Sequence, residues 1–134
     1  MAVKNSSNVK FEIGFYEKVL ERAPNFIEAL ICLGDLYTRA GLYSQGLAID
    51  ERLAALRPDD AGVLYNLACS YSLLNNIPLA RSVMLRAIDL GYDEWEHLGK
   101  DTDLANLLGD REFIARLKDI RKKGARESAR VPGL

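Results

Sequence analysis

Residues that carry chemistry are scarce in this sequence. It holds one histidine, His97, and two cysteines, Cys32 and Cys69. A lone histidine with no cysteine or second histidine at ligand spacing fits none of the common metal motifs, so no metal or cofactor is expected. Two cysteines are too few for a disulfide framework and suit a reducing compartment. Gly99-Lys100 lacks the upstream glycine of a phosphate-binding loop, and Asp101, Asp103 and Asp110 lack calcium-loop spacing. No nucleophile comes with a recognisable base, so neither catalysis nor a catalytic residue is expected. An excess of one charge is missing too. The formal net charge is -1, which argues against a generally basic surface for nucleic acid. No apolar run approaches the roughly 20 residues of a membrane span, so no membrane insertion is expected. The start, Met1 to Lys10, is polar and carries no apolar signal core, which makes the cytoplasm the expected location.

What the sequence has is a period. Leu30, Leu33, Gly34 and Tyr37 return as Leu64, Leu67, Ala68 and Tyr71, and Pro24 returns as Pro58, each 34 residues on. A period of that size is the mark of stacked helical hairpins, in which each unit buries its apolar face on the next. The 134 residues, 49% apolar and 28% charged, are enough for one such domain. Within each unit the apolar residues recur at helical spacing. Gly41 marks the turn of the first unit. Asn75-Asn76 marks that of the second, with Pro78 suited to the first turn of the next helix. Gly91 ends the second unit's last helix. The period then breaks. Trp95 and Leu98 suit a short helix, and Asp101 can cap a helix through Leu104, Leu107 and Leu108 to Gly109. Asp110 can cap a last helix carrying Phe113, Leu117 and Ile120. The expected organisation is a disordered leader (1–8) and one helical domain (9–121). That domain divides into a half unit (9–24), two units (27–60 and 61–94) and capping helices (95–121). A basic flexible tail (122–134) follows.

These residues resemble tetratricopeptide repeats. The first unit supplies Leu30, Leu33, Gly34, Tyr37, Gly46 and Pro58, and the second supplies Leu64, Leu67, Ala68, Tyr71, Ala80, Met84 and Ala87. The half unit contributes Tyr16 and Pro24. Three positions depart from the pattern: Asp50 stands in place of an aromatic, Leu53 in place of alanine, and Tyr92 in place of the exit proline. The terminal helices look like those appended to some bacterial repeat proteins. The resemblance implies an all-α, right-handed superhelical stack of antiparallel helix pairs, an α-solenoid. It also implies a scaffold for protein–protein interaction.

The resemblance further places a partner surface on the first helices of the units. It falls on Glu28, Ile31, Asp35, Thr38 and Arg39 in the first unit, and on Tyr65, Asn66, Cys69, Ser72 and Leu73 in the second. That mixture suits an extended peptide or a helix with an apolar anchor and a basic residue. Members of this family that read a partner's terminal carboxylate use lysine and asparagine. Here Ile31 and Asp35 stand at the first unit's positions and only Asn66 matches, while Asp35 repels a carboxylate. A reader of chaperone tails is therefore not expected. Two alternatives remain open. Phe11 and Phe15 need a cover, which a second copy could supply in a structural self-association module, or the preceding helix if the chain is a fragment of a longer repeat protein. The basic residues Arg116, Lys118, Arg121, Lys122, Lys123, Arg126 and Arg130 could hold nucleic acid weakly, although no aromatic is interleaved for stacking.

Overall fold

A computed structural model describes the backbone of residues 2–130 and the side chains of residues 7–127. Among the described residues the chain is all-α: α1 Ala2–Arg22, α2 Ile27–Arg39, α3 Tyr43–Leu56, α4 Ala61–Leu73, α5 Ile77–Asp89, α6 Trp95–Lys100, α7 Ala105–Leu108 and α8 Arg111–Arg130. The pairs α2/α3 and α4/α5 start 34 residues apart, at Ile27 and Ala61 and at Tyr43 and Ile77.

The turns repeat as closely as the helices. Leu42 N–H bonds to the Tyr37 carbonyl and Gly41 N–H to that of Thr38, at 2.8 and 3.0 Å. Asn76 and Asn75 make the same bonds to Tyr71 and Ser72, at 2.8 and 2.9 Å. This closing motif needs a left-handed residue, supplied by Gly41 at φ 79° and by Asn75 at φ 59°. Gly91, at φ 111°, serves the same purpose after α5. Asn76 then caps α5, accepting from Leu79 N–H at 3.4 Å, with Pro78 in its first turn.

Small residues mark where paired helices cross. A side-chain carbon on Gly34 would lie 3.0 Å from Asp50 Oδ1 and 3.3 Å from Ile49 Cγ2. Gly46 faces Thr38 and the Gly34 carbonyl in the same way. In the second unit Ala68 and Ala80 hold these places with no exposure. Long-range polar contacts recur at the same interval. The Tyr37 hydroxyl donates to Glu17 and the Tyr71 hydroxyl to Glu51; the Arg52 and Arg86 guanidinium groups donate to the carbonyls of Pro24 and Pro58.

Two apolar clusters hold the stack. One joins α1 to α3 through Leu20, Leu30, Leu33, Ile49 and Leu53, completed by Val63 of α4. The other runs from α4 to α8 and centres on Leu67, Met84, Leu98, Leu104, Leu107 and Phe113. Asp110 caps α8, accepting from Phe113 N–H at 2.9 Å.

Three expectations need correction. Residues 2–8, read from composition as a disordered leader, belong to α1. Its packed stretch from Ile13 to Leu20 anchors the helix, and extending an anchored helix costs little per residue. Residues 122–130 of the expected flexible tail likewise continue α8, which is anchored by Phe113, Ile114 and Leu117 and rich in good helix formers. Residue 1 and residues 131–134 lie outside the described ones. The helix expected after Asp101 is divided into a 3-10 turn, Thr102–Leu104, and the single turn of α7. The division lets both Leu104 and Leu107 reach the core without exposure.

Candidate functional site

A groove of about 400 Å³ opens on the face built by the first helices. Ile31, Asp35 and Thr38 of α2 form one wall, and Tyr65, Asn66, Cys69 and Leu73 of α4 the other. Asp50 and Leu53 of α3 lie at its base. His97, Asp101 and Asp103 close the end toward the cap.

Four carboxylates line this groove and no lysine or arginine does. Asp35 is exposed and pairs with Arg39, one turn on, at 3.3 Å. Asp50 is only 7% exposed. One of its oxygens, Oδ2, accepts the Ser70 hydroxyl at 2.5 Å. Burial pushes its carboxyl up to about 6, the Ser70 hydroxyl pulls the other way, and Asp35 adds a smaller upward push. Asp103 is raised as well, by burial and then by Asp101 and Asp35.

Asp101 ties the cap to α4. Its Oδ2 accepts the Tyr65 hydroxyl at 2.5 Å, and its Oδ1 caps the 3-10 turn through Asp103 N–H at 3.0 Å. His97 Nε2 stands 3.5 Å from the same carboxylate. The Tyr65 ring stacks on Tyr92 at 4.5 Å between centroids, so Tyr65 is a built-in wall of the groove. The Cys69 thiol lies 3.8 Å from Asp101. Burial, then Asp101 and Asp103, hold it protonated well above the ordinary thiol range, which opposes nucleophilic use. Among the described residues no three His, Cys, Asp or Glu side chains are placed to hold one metal ion. Nor is any helix among them long and apolar enough to cross a membrane.

No family model matches the chain. A chloroplastic protein of Arabidopsis thaliana is 30% identical over 96 residues, which are 69% of this chain. The chain spans only 29% of that relative's length. Among solved structures, MamA from Desulfovibrio magneticus RS-1, from its residue 41 to the end, superposes with a TM-score of 0.63. The match covers 90% of this chain and 71% of that one at 20% sequence identity, and MamA contains tetratricopeptide repeats. The fold is tetratricopeptide-repeat-like.

Seven of the ten residues that the repeat pattern singles out line one groove: Ile31, Asp35, Thr38, Tyr65, Asn66, Cys69 and Leu73. Glu28 and Arg39 are exposed on α2 but are not part of its lining. Ser72 is the correction: it has no exposure, its Oγ accepts Leu107 N–H at 3.1 Å, and its carbonyl accepts Asn106 Nδ2 at 2.9 Å. The capping helices, which the repeat pattern does not describe, cover that side of α4. The same fold-back brings in His97, Asp101 and Asp103. The pattern missed all three as groove residues, since Asp101 read locally as a helix cap and Asp103 and His97 carried no motif of their own. Asp50 had a signal, as an acid in place of an aromatic, but its neighbours Gly34 and Ser70 come together only in three dimensions.

Proposed function

We propose that this protein is a non-catalytic interaction scaffold that binds an extended or helical segment of a partner protein in the groove between α2 and α4. The observation that carries the reading is the groove's composition. Apolar positions, with Ile31 47% exposed and Leu73 half-buried, stand beside four carboxylates with no lysine or arginine in the lining. Such a surface offers an apolar anchor point and a charge preference. The likeness to MamA supports the scaffold class. The cytoplasm is the proposed location.

Selection from a library of short random peptides on immobilised wild-type protein tests the reading. Selected peptides should lose binding to an Ile31→Glu, Leu73→Glu variant whose circular dichroism matches wild type. Peptides that bind both proteins equally, or no selection at all, would overturn it.

A second reading is self-association through α1, favoured by Phe11 and Phe15, which are 75% and 53% exposed on the side away from α2. Large apolar side chains in such a pair suit a second copy.

A further inference from the structure

We propose that Asp50 is the specificity-determining residue of the groove, pairing with a lysine or arginine side chain that the partner segment inserts beside Gly34. The inference rests on the groove being the binding site and adds the chemistry of what it reads.

Asp50 is a carboxylate more than nine-tenths buried, on the inner side of α3. Its Oδ2 is engaged by Ser70. Its Oδ1 receives no hydrogen bond from any described residue, yet it is not sealed off, because among the described residues no fully buried side-chain oxygen or nitrogen lacks a partner. The residue lines the groove, so this free oxygen is reached from there. Gly34 lines the groove beside this oxygen: a side-chain carbon at that position would come within 3.0 Å of Oδ1 and crowd it.

The surrounding groups set the ligand's sign. Asp35 from α2, Asp101 and Asp103 from the cap and the Cys69 thiol from α4 line the same groove; all are acidic or neutral. His97 is the one side chain there able to carry positive charge, and it stands by Asp101. An anion entering this space meets carboxylates and no lysine or arginine in the lining, whereas a cation meets complementary charge. No three of these groups converge as metal ligands, so the fitting cation is organic. A long stem is also required, because the carboxylate is at the base. Lysine and arginine bury such a stem while delivering the charge at its tip, and the buried Leu53 side chain lines the base beside it.

The test uses the peptides selected on wild type that depend on Ile31 and Leu73. They should share a lysine or arginine at one position. Replacing it by norleucine, or replacing Asp50→Asn in the protein, should weaken binding about thirtyfold. Asparagine keeps the size of the side chain and an acceptor for Ser70, and circular dichroism checks the fold. Carboxyl carbon NMR gives a second readout: saturation with peptide should lower the Asp50 titration midpoint. Groove-dependent peptides with no shared cation, undiminished affinity for Asp50→Asn, or an unmoved midpoint would overturn this inference and leave the groove reading intact. Failure to select any groove-dependent peptide would overturn both.

Discussion

Asp50→Asn should stabilise the free protein at neutral pH and do nothing at pH 4. The carboxyl shifts from 3.8 to about 6 on folding, because burial outweighs the Ser70 hydroxyl. The folded state therefore binds a proton that the unfolded state has already released between those pH values. Stability linked to Asp50 is fully present below about pH 4, falls as pH rises through about 6, and levels off above. A shift of about two units corresponds to roughly 3 kcal/mol lost at pH 7. Asparagine cannot ionise and keeps an acceptor for Ser70, so it should recover much of that amount, about 1–3 kcal/mol. For a domain of this size the gain is roughly 3–10 °C in Tm. Asp35 from α2, Asp101 and Asp103 from the cap and Cys69 from α4 line the same groove and are present in both proteins, so the difference between the two reports Asp50 and its coupling to them. Urea unfolding followed by circular dichroism at a series of pH values between 4 and 8 measures it. A difference that does not change with pH, or an asparagine variant less stable than wild type at pH 7, would refute the reasoning.

Two further outcomes follow from the same contacts. Ser72→Ala should cost about 1–3 kcal/mol in urea unfolding, because it leaves the buried Leu107 N–H without its acceptor; a change below about half a kcal/mol would count against the cap being fastened there. If α1 carries a dimer contact, Phe11→Ser with Phe15→Ser should abolish concentration-dependent mass in sedimentation, whereas a wild-type protein that stays monomeric would remove that second reading.

The repeated parts were legible because a solenoid writes its fold locally. Gly34 and Ala68, Tyr37 and Tyr71, and the turn residues Gly41 and Asn75 each answer a demand made within one hairpin, and the next hairpin makes the demand again. The polar ties were less visible. Tyr37 to Glu17 and Tyr71 to Glu51 are repeated bonds, but a surface glutamate carries no local mark of its partner 20 residues on. The cap was least legible. Asp101 and Asp110 announce helix starts, but neither shows that the 3-10 turn at Thr102 folds back on α4. That fold-back buries Ser72 and places Asp101 and Asp103 at the end of the groove, so a residue assigned to the partner face by its repeat position became core.

Asp50 and Met84 occupy the same place in successive units, 34 residues apart. Met84 has no exposure and packs wholly in the apolar core, which is what the fold needs at a helix-pair contact. The first unit puts a carboxylate there, supplies Ser70 to hold one oxygen, and keeps Gly34 without a side chain over the other. Folding calls for a small residue at Gly34, as at Ala68, but not for a carboxylate at Asp50, since an apolar side chain satisfies the same position one unit later. A buried charge that lowers stability, with one oxygen left free toward a groove, breaks the local rule without a structural gain. On the proposed reading, the compensation comes from what the groove binds. A partner's cation would relieve the cost and convert it into selectivity, because a segment without that charge leaves the carboxylate buried and unpaired.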